Sequence, residues 1–148
     1  MMLRSSIVAA TLWAALWNSP TQAREPSCLE YEPAVVTLSG TISRHMHYGP
    51  PNYGEDPEHD EKGFYWYLDL DRPICVNGKN EDSPDMEGES DVRHVQIVYG
   101  VYADYPPGRG WIGRHVSITG SLFHADTVHH HTEVLIMARA TVRTPSSR

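Results

Sequence analysis

Val116-Ser-Ile-Thr-Gly-Ser-Leu122 runs directly into Phe123-His-Ala-Asp-Thr-Val-His-His-His-Thr-Glu-Val-Leu-Ile136, and this stretch decides the fold. Its first seven residues alternate apolar and polar, the period of a strand with one buried face. After a short polar segment, Val134, Ile136, Ala138 and Ala140 resume the alternation, with Arg139 and Arg143 set toward water. The two flanks predict an antiparallel pair with the polar segment at its turn. Upstream, Val35-Val-Thr-Leu-Ser-Gly-Thr-Ile-Ser43 repeats the Val-x-apolar-x-Gly pattern, with Val36, Leu38 and Ile42 inward. Both strands carry an inward glycine, Gly40 and Gly120, and glycine inside a strand marks a bend, a bulge or a close backbone approach. Two strands kinked in this way suit a small, strongly curved barrel.

Between them lie Phe64-Tyr-Trp-Tyr-Leu-Asp-Leu70 and Val92-Arg-His-Val-Gln-Ile-Val-Tyr99. In the first, Phe64, Trp66, Leu68 and Leu70 share one face, and Tyr65, Tyr67 and Asp69 the other. No segment shows sustained helical periodicity with caps; Pro57 to Lys62 has room for one turn. The connections Tyr48–Gly63, Asn77–Asp91 and Ala103–Gly113 are polar and rich in Gly and Pro. The expectation is an all-β chain: a five-stranded barrel of the OB type with at most one short helix, the alternative being a small β-sandwich.

The amino terminus reads as a targeting segment. Arg4 precedes an apolar run from Ile7 to Trp17, Asn18-Ser-Pro20 breaks it, and Thr21-Gln-Ala23 suits a signal peptidase. The run is well short of the roughly 20 residues that span a bilayer. The expectation is a signal peptide at residues 1–23, a single disulfide-bridged β domain at 24–148, a periplasmic or secreted location, and no membrane insertion after cleavage. Cys28 and Cys75 are the two cysteines. In an oxidising compartment an isolated pair reads first as a disulfide, so neither is expected to be catalytic. The net charge is −7. That argues against nucleic acid and anionic lipid as partners, because phosphate contacts need Lys and Arg.

The polar segment holds four of the nine histidines, His124, His129, His130 and His131. Read as a metal site, they would act with Asp126 and Glu133, and with His45 and His47 at the end of the first strand, as ligands for zinc or copper. Read as a turn, the imidazoles and Thr127 and Thr132 bond to backbone. Alternate strand residues diverge, so adjacent histidines cannot all ligate one ion, and no zinc-finger or zincin spacing is present. Asp56, Glu58 and Asp60 mimic a calcium loop, but Glu61 and Tyr67 occupy the positions of its glycine and bidentate acid. Gly108-Arg-Gly-Trp-Ile-Gly113 matches a dinucleotide fingerprint as a string, yet a strand rather than a helix follows it. Trp111 is expected over a barrel end. No nucleophile elbow is found, and Asp69 and Asp71 read as solvated strand residues. Tyr65 and Tyr67, with Tyr53 and Trp111 nearby, form a candidate ligand-binding surface, because aromatic faces on such barrels stack sugars and other rings. Tyr99, Tyr102 and Tyr105 lie in or beside loops.

Several pieces resemble the bacterial exported family called domain of unknown function 4431. They are Cys28-Leu-x-Tyr31, Val36-x-Leu-x-Gly40, Gly49-Pro-Pro-Asn-Tyr53, Leu68-Asp-Leu-Asp-Arg-Pro-Ile-Cys-Val76, Val116-x-Ile-Thr-Gly-x-Leu-Phe-His-Ala125 and His130-His-Thr-x-Val-Leu-Ile136. The resemblance implies bacterial export and supplies no activity or catalytic residue. Similar modules sometimes accompany a periplasmic lysozyme-inhibitor-like domain. The functional expectation is a non-catalytic binding module for a protein or a cell-envelope component, one concrete form being an inhibitor of a cell-wall-degrading enzyme. It needs no cofactor; the alternative is a metal-binding protein built on the histidine hairpin.

Overall fold

Alternation of apolar and polar residues produces five long strands and one short one in the computed structural model, which describes residues 28–78, 87–100 and 109–144. The expected leader, Tyr102, Tyr105 and the turn at Pro106-Pro107 lie outside the described residues. The strands are β1 (Leu29–Glu30), β2 (Val36–Tyr48), β3 (Lys62–Asn77), β4 (Glu89–Tyr99), β5 (His115–His124) and β6 (Val134–Arg143). The helical residues among those described form a single 3-10 turn, Arg109–Trp111. Pro57 to Lys62 is a turn followed by the start of β3, not a helix. No helix in the described residues is long and apolar enough to cross a membrane.

β2 pairs antiparallel with both β3 and β5, β3 with β4, and β5 with β6; a parallel β4–β6 pair closes the ring. This five-stranded closed barrel has the OB connectivity anticipated from the two kinked strands. β1 is an added strand, parallel to the end of β3 through Leu29 against Val76. Beside that pairing the Cys28–Cys75 disulfide closes a loop with a sequence separation of 47.

The interior is filled by the inward set of each strand. Leu38, Ile42, Leu68, Val95, Ile97, Val116, Ile118, Leu122, Val134 and Ile136 are all buried in one cluster. Gly40 and Gly120 explain how a ring of this size closes. A side chain at Gly40 would collide with the Asp69 carbonyl of β3, and one at Gly120 with the Met137 carbonyl of β6. At Gly120 the β5–β6 register also shifts, so that Thr119 faces Ala140 and Gly120 faces Ala138. Arg139 is the extra residue. A bulge of this kind reverses which face the following residues present. Ala140, expected inward, is therefore exposed.

Two further positions depart from simple alternation. Phe64 was expected in the core but is 52 % exposed. β2 and β3 continue beyond the barrel as a two-stranded ribbon, with Met46 opposite Phe64, and Arg44 covers the Phe64 ring at 4.2 Å. Tyr67, expected on the surface, is only 4 % exposed although it points away from the core. Something else covers it, and that covering creates the candidate site. Past Asp69, β3 bulges out of register with β4 where Pro73 cannot donate a ladder bond. An open groove of about 670 Å³ lies there, beside Leu29, Leu38, Leu70 and Ile74.

Candidate functional site

On β4, Val95 and Ile97 point into the barrel, so Gln96 must point out, yet Gln96 is buried. The histidine segment is folded down over it. The Gln96 Nε2 donates to the His129 carbonyl at 2.9 Å, and the His131 N–H donates to the Gln96 Oε1 at 2.7 Å. The Gln96 backbone N–H is taken by the Thr132 hydroxyl at 3.0 Å, which in turn donates to the Val134 carbonyl at 2.7 Å. The segment between β5 and β6 is thus a flap clamped to the outer wall rather than a projecting tip. Beneath it a row crosses four strands: Tyr67 faces Gln96, Gln96 faces Leu135, and Leu135 faces Phe123. Leu135 and Tyr67 are buried as a result.

The clamp delivers His131 onto His47 of β2. Their rings stack at 3.8 Å between centroids and 6° between planes. Tyr65 meets His131 edge-on at 4.3 Å and His47 at 5.7 Å. The Tyr67 hydroxyl and the His47 Nε2 are hydrogen-bonded at 2.8 Å. His45 lies over the Tyr67 ring at 4.5 Å and touches the Ser43 hydroxyl through Nε2 at 3.1 Å. His94 approaches Tyr67 from β4 at 6.4 Å. These rings form a continuous imidazole–tyrosine platform on one wall.

The stacked pair at its centre is biased toward the uncharged imidazole. Burial lowers the His47 pKa below the usual imidazole value, helped by neighbouring His45. Burial also lowers that of His131, helped by His47, His129 and His130. The Tyr67 hydroxyl is pushed up to about 12 by burial and then by Tyr65, so it remains a donor. The His131 Nε2 is buried without a hydrogen-bond partner among the described residues. An unpaired buried polar atom costs about 1–3 kcal/mol, which folding alone gives no reason to retain.

The remaining sequence candidates go elsewhere. His124 ends β5, where its Nε2 lies 3.2 Å from Glu89 and 3.9 Å from Glu133. His130 faces the Phe123 ring at 5.4 Å, with its Nδ1 3.0 Å from Asp126 and accepting the Asp126 N–H. His129 is exposed. The expected ligand set therefore splits into three places: His45, His47 and His131 on the platform, His130 with Asp126, and His124 with two glutamates. Tyr65 and Tyr67 share the platform, whereas Tyr53 is exposed in the β2–β3 loop at a φ of 53°. Trp111 packs against the core, as expected of a barrel cover, with the Arg143 guanidinium 4.4 Å above it.

The acidic loop has an internal order that its sequence did not disclose. Asp60 is buried and accepts the N–H groups of Asn52 and Gly54 at 2.7 Å each, and of Asp56 at 3.4 Å. Burial alone would raise its pKa, but these bonds, with Gly54 foremost, outweigh it and lower the value. Asp71, expected to be solvated, bonds His115 Nε2 at 2.9 Å, while His115 Nδ1 meets the Thr144 hydroxyl at 2.7 Å. Because Thr144 N–H also donates to the His115 carbonyl, this chain ties β3 to β5 and to the residue after β6.

Residues 95–140 match the family model described as Domain of unknown function (DUF4431), in support of the resemblance read from the motifs. The matched stretch runs from the buried half of β4 through the Gly120 bulge and the clamped flap to β6. It includes Gln96, His131 and Thr132; the β2 and β3 members of the platform lie before it. No curated protein and no solved structure matches the chain.

Proposed function

We propose that this chain is an exported binding module, and that the imidazole–tyrosine platform is its contact surface for a cell-envelope component. The observation that carries the reading is the stacked His47–His131 pair with Tyr65 edge-on, held in place by the Gln96 clamp. Exposed histidines on a loop would lose rotamer freedom on binding; here that cost is already met by folding. The platform is apolar on its ring faces and fringed by hydroxyl and imidazole hydrogen-bonding atoms. Such a surface suits sugar rings, which offer C–H faces for stacking and hydroxyls for hydrogen bonds. It runs from β2 to β4 beside the β5–β6 loop, and β3, β4 and that loop correspond to the side on which OB barrels hold oligosaccharides and oligonucleotides. The net charge of −7 disfavours the nucleic acid. The disulfide between Cys28 and Cys75 accords with an oxidising compartment.

Co-sedimentation with purified peptidoglycan tests this. The wild-type chain is expected in the pellet, and His131→Ala and Tyr65→Ala variants that keep the wild-type fold are expected to bind at least about tenfold more weakly, the loss of one good contact. Equal binding by all three chains would reject the platform as the surface. A second form of the reading makes the partner a basic cell-wall-degrading enzyme, favoured by the negative charge. It requires inhibition that weakens as salt rises, because charge steering is screened. An inability to bind or slow a lysozyme-type enzyme at low salt would remove it.

A further inference from the structure

Glu89 opens β4, His124 closes β5, and Glu133 immediately precedes β6. The His124–Val134 register sets Glu133 beside His124, and Glu89 comes within reach of both at these strand ends. One donor atom from each lies within 4.8 Å of the others. Zinc bonds of about 2.0–2.1 Å in a tetrahedron place donors roughly 3.3 Å apart. The His124 Nε2 to Glu89 distance of 3.2 Å already meets that spacing. Its 3.9 Å separation from Glu133 closes with a small rotation of the exposed glutamate.

The ring orientation also suits a ligand. His124 Nδ1 lies 3.1 Å from the Ala125 carbonyl, to which it can only donate. That leaves Nε2 as the ring atom turned to the two carboxylates, where a metal would take the place of the proton shared with Glu89, the backbone-oriented arrangement typical of metal-bound histidine. An independent observation comes from Tyr31, which is 2 % exposed and whose hydroxyl is buried without a partner among the described residues. Its ring stands edge-on to His124 at 6.2 Å. Its hydroxyl is thus a buried donor beside the cluster with nothing to donate to among the described residues.

We propose that Glu89, His124 and Glu133 bind a zinc-class divalent cation, and that the Tyr31 hydroxyl hydrogen-bonds a water or anion held on that ion. Three protein donors of nitrogen and oxygen leave one position open for such a ligand. Calcium, which needs six to eight oxygens, is not expected to bind here. The inference is independent of the platform, since the two sites share no residue.

Zinc titration of the tag-free, disulfide-bonded chain against a chromogenic chelator tests it. One equivalent is expected to bind, with affinity falling at least about tenfold in His124→Gln and in Glu89→Gln and changing little in His130→Gln and His131→Gln. Zinc should raise the melting temperature of the wild type and not of the first two variants, which separates lost ligation from lost folding. No zinc binding by the wild type, or undiminished binding by His124→Gln and Glu89→Gln, overturns the site. In the cobalt-loaded protein, Tyr31→Phe should move the midpoint of the visible spectrum's pH titration; an unmoved midpoint removes Tyr31 from it.

Discussion

Replacing Gln96 with leucine should unclamp the flap and dismantle the platform. Leucine nearly matches glutamine in volume, so the change removes hydrogen bonds without opening a large cavity. Two are lost, from Nε2 to the His129 carbonyl and from the His131 N–H to Oε1. Each contributes about 1 kcal/mol net, and the His131 N–H left buried beside a methyl group adds about 1–3 kcal/mol of desolvation. Better burial of the apolar side chain returns about 1 kcal/mol. The loss is therefore about 2–4 kcal/mol, or roughly 10–20 °C in melting temperature for a domain of about 100 residues. Urea denaturation followed by circular dichroism measures the total, and amide exchange of the His131 N–H measures the local part. If the flap peels away from an intact barrel instead, exchange at His131 accelerates while the barrel amides remain protected. An unfolding free energy within about 0.5 kcal/mol of the wild type, with the His131 amide still protected, would refute the clamp.

Other consequences can be checked alongside it. Because His47 and His131 have lowered pKa values in the folded chain, unfolding takes up protons below the ordinary imidazole value near 6.5. Their contribution to stability is full above pH 6.5 and falls as the pH drops toward their folded values; a His47→Asn, His131→Asn chain should show a flatter melting-temperature profile between pH 7.5 and 5, and an unchanged slope would contradict the uncharged stack. Opening the Cys28–Cys75 bridge, with a sequence separation of 47, should cost about 4 kcal/mol on the loop-closure relation. Denaturation of the Cys28→Ser, Cys75→Ser chain measures this, and a cost below about 1 kcal/mol would show that the unfolded chain is already constrained there. Gly120→Val should destabilise by about 3 kcal/mol or more, because its side chain meets the Met137 carbonyl, whereas Val128→Thr on the exposed flap surface should be nearly silent.

Alternation and two inward glycines made the barrel legible in the sequence, because both are local consequences of a strand that must bend around a core. The bulge at Arg139 was not legible. It follows from the pairing of Gly120 with Ala138, and pairing register leaves no mark on β6 itself. Tyr65 and Tyr67 were recognisable as outward residues, but alternation reports the face and not what covers it, so the burial of Tyr67 depended on a flap from another part of the chain. Gln96 gave no signal, since a polar residue between two inward ones is what any half-buried strand shows. Thr132 was read as a backbone-bonding turn residue, and it does bond backbone, through the Gln96 N–H and the Val134 carbonyl. The histidines stood out as a cluster because they are adjacent in sequence, and the same adjacency scatters their side chains. Glu89, 35 residues from His124, becomes its neighbour only through the closing of the barrel.

The central claim is that the stacked His47–His131 pair with Tyr65 edge-on, laid over the buried Tyr67, is the contact surface. Titrating the isotope-labelled chain with soluble peptidoglycan fragments, and mapping which amide and imidazole resonances move, tests it most directly. The account predicts shifts concentrated at His45, His47, Tyr65, Tyr67, Gln96 and His131. Shifts centred instead on the groove beside Leu70 and Ile74, or none at saturating fragment, would contradict it.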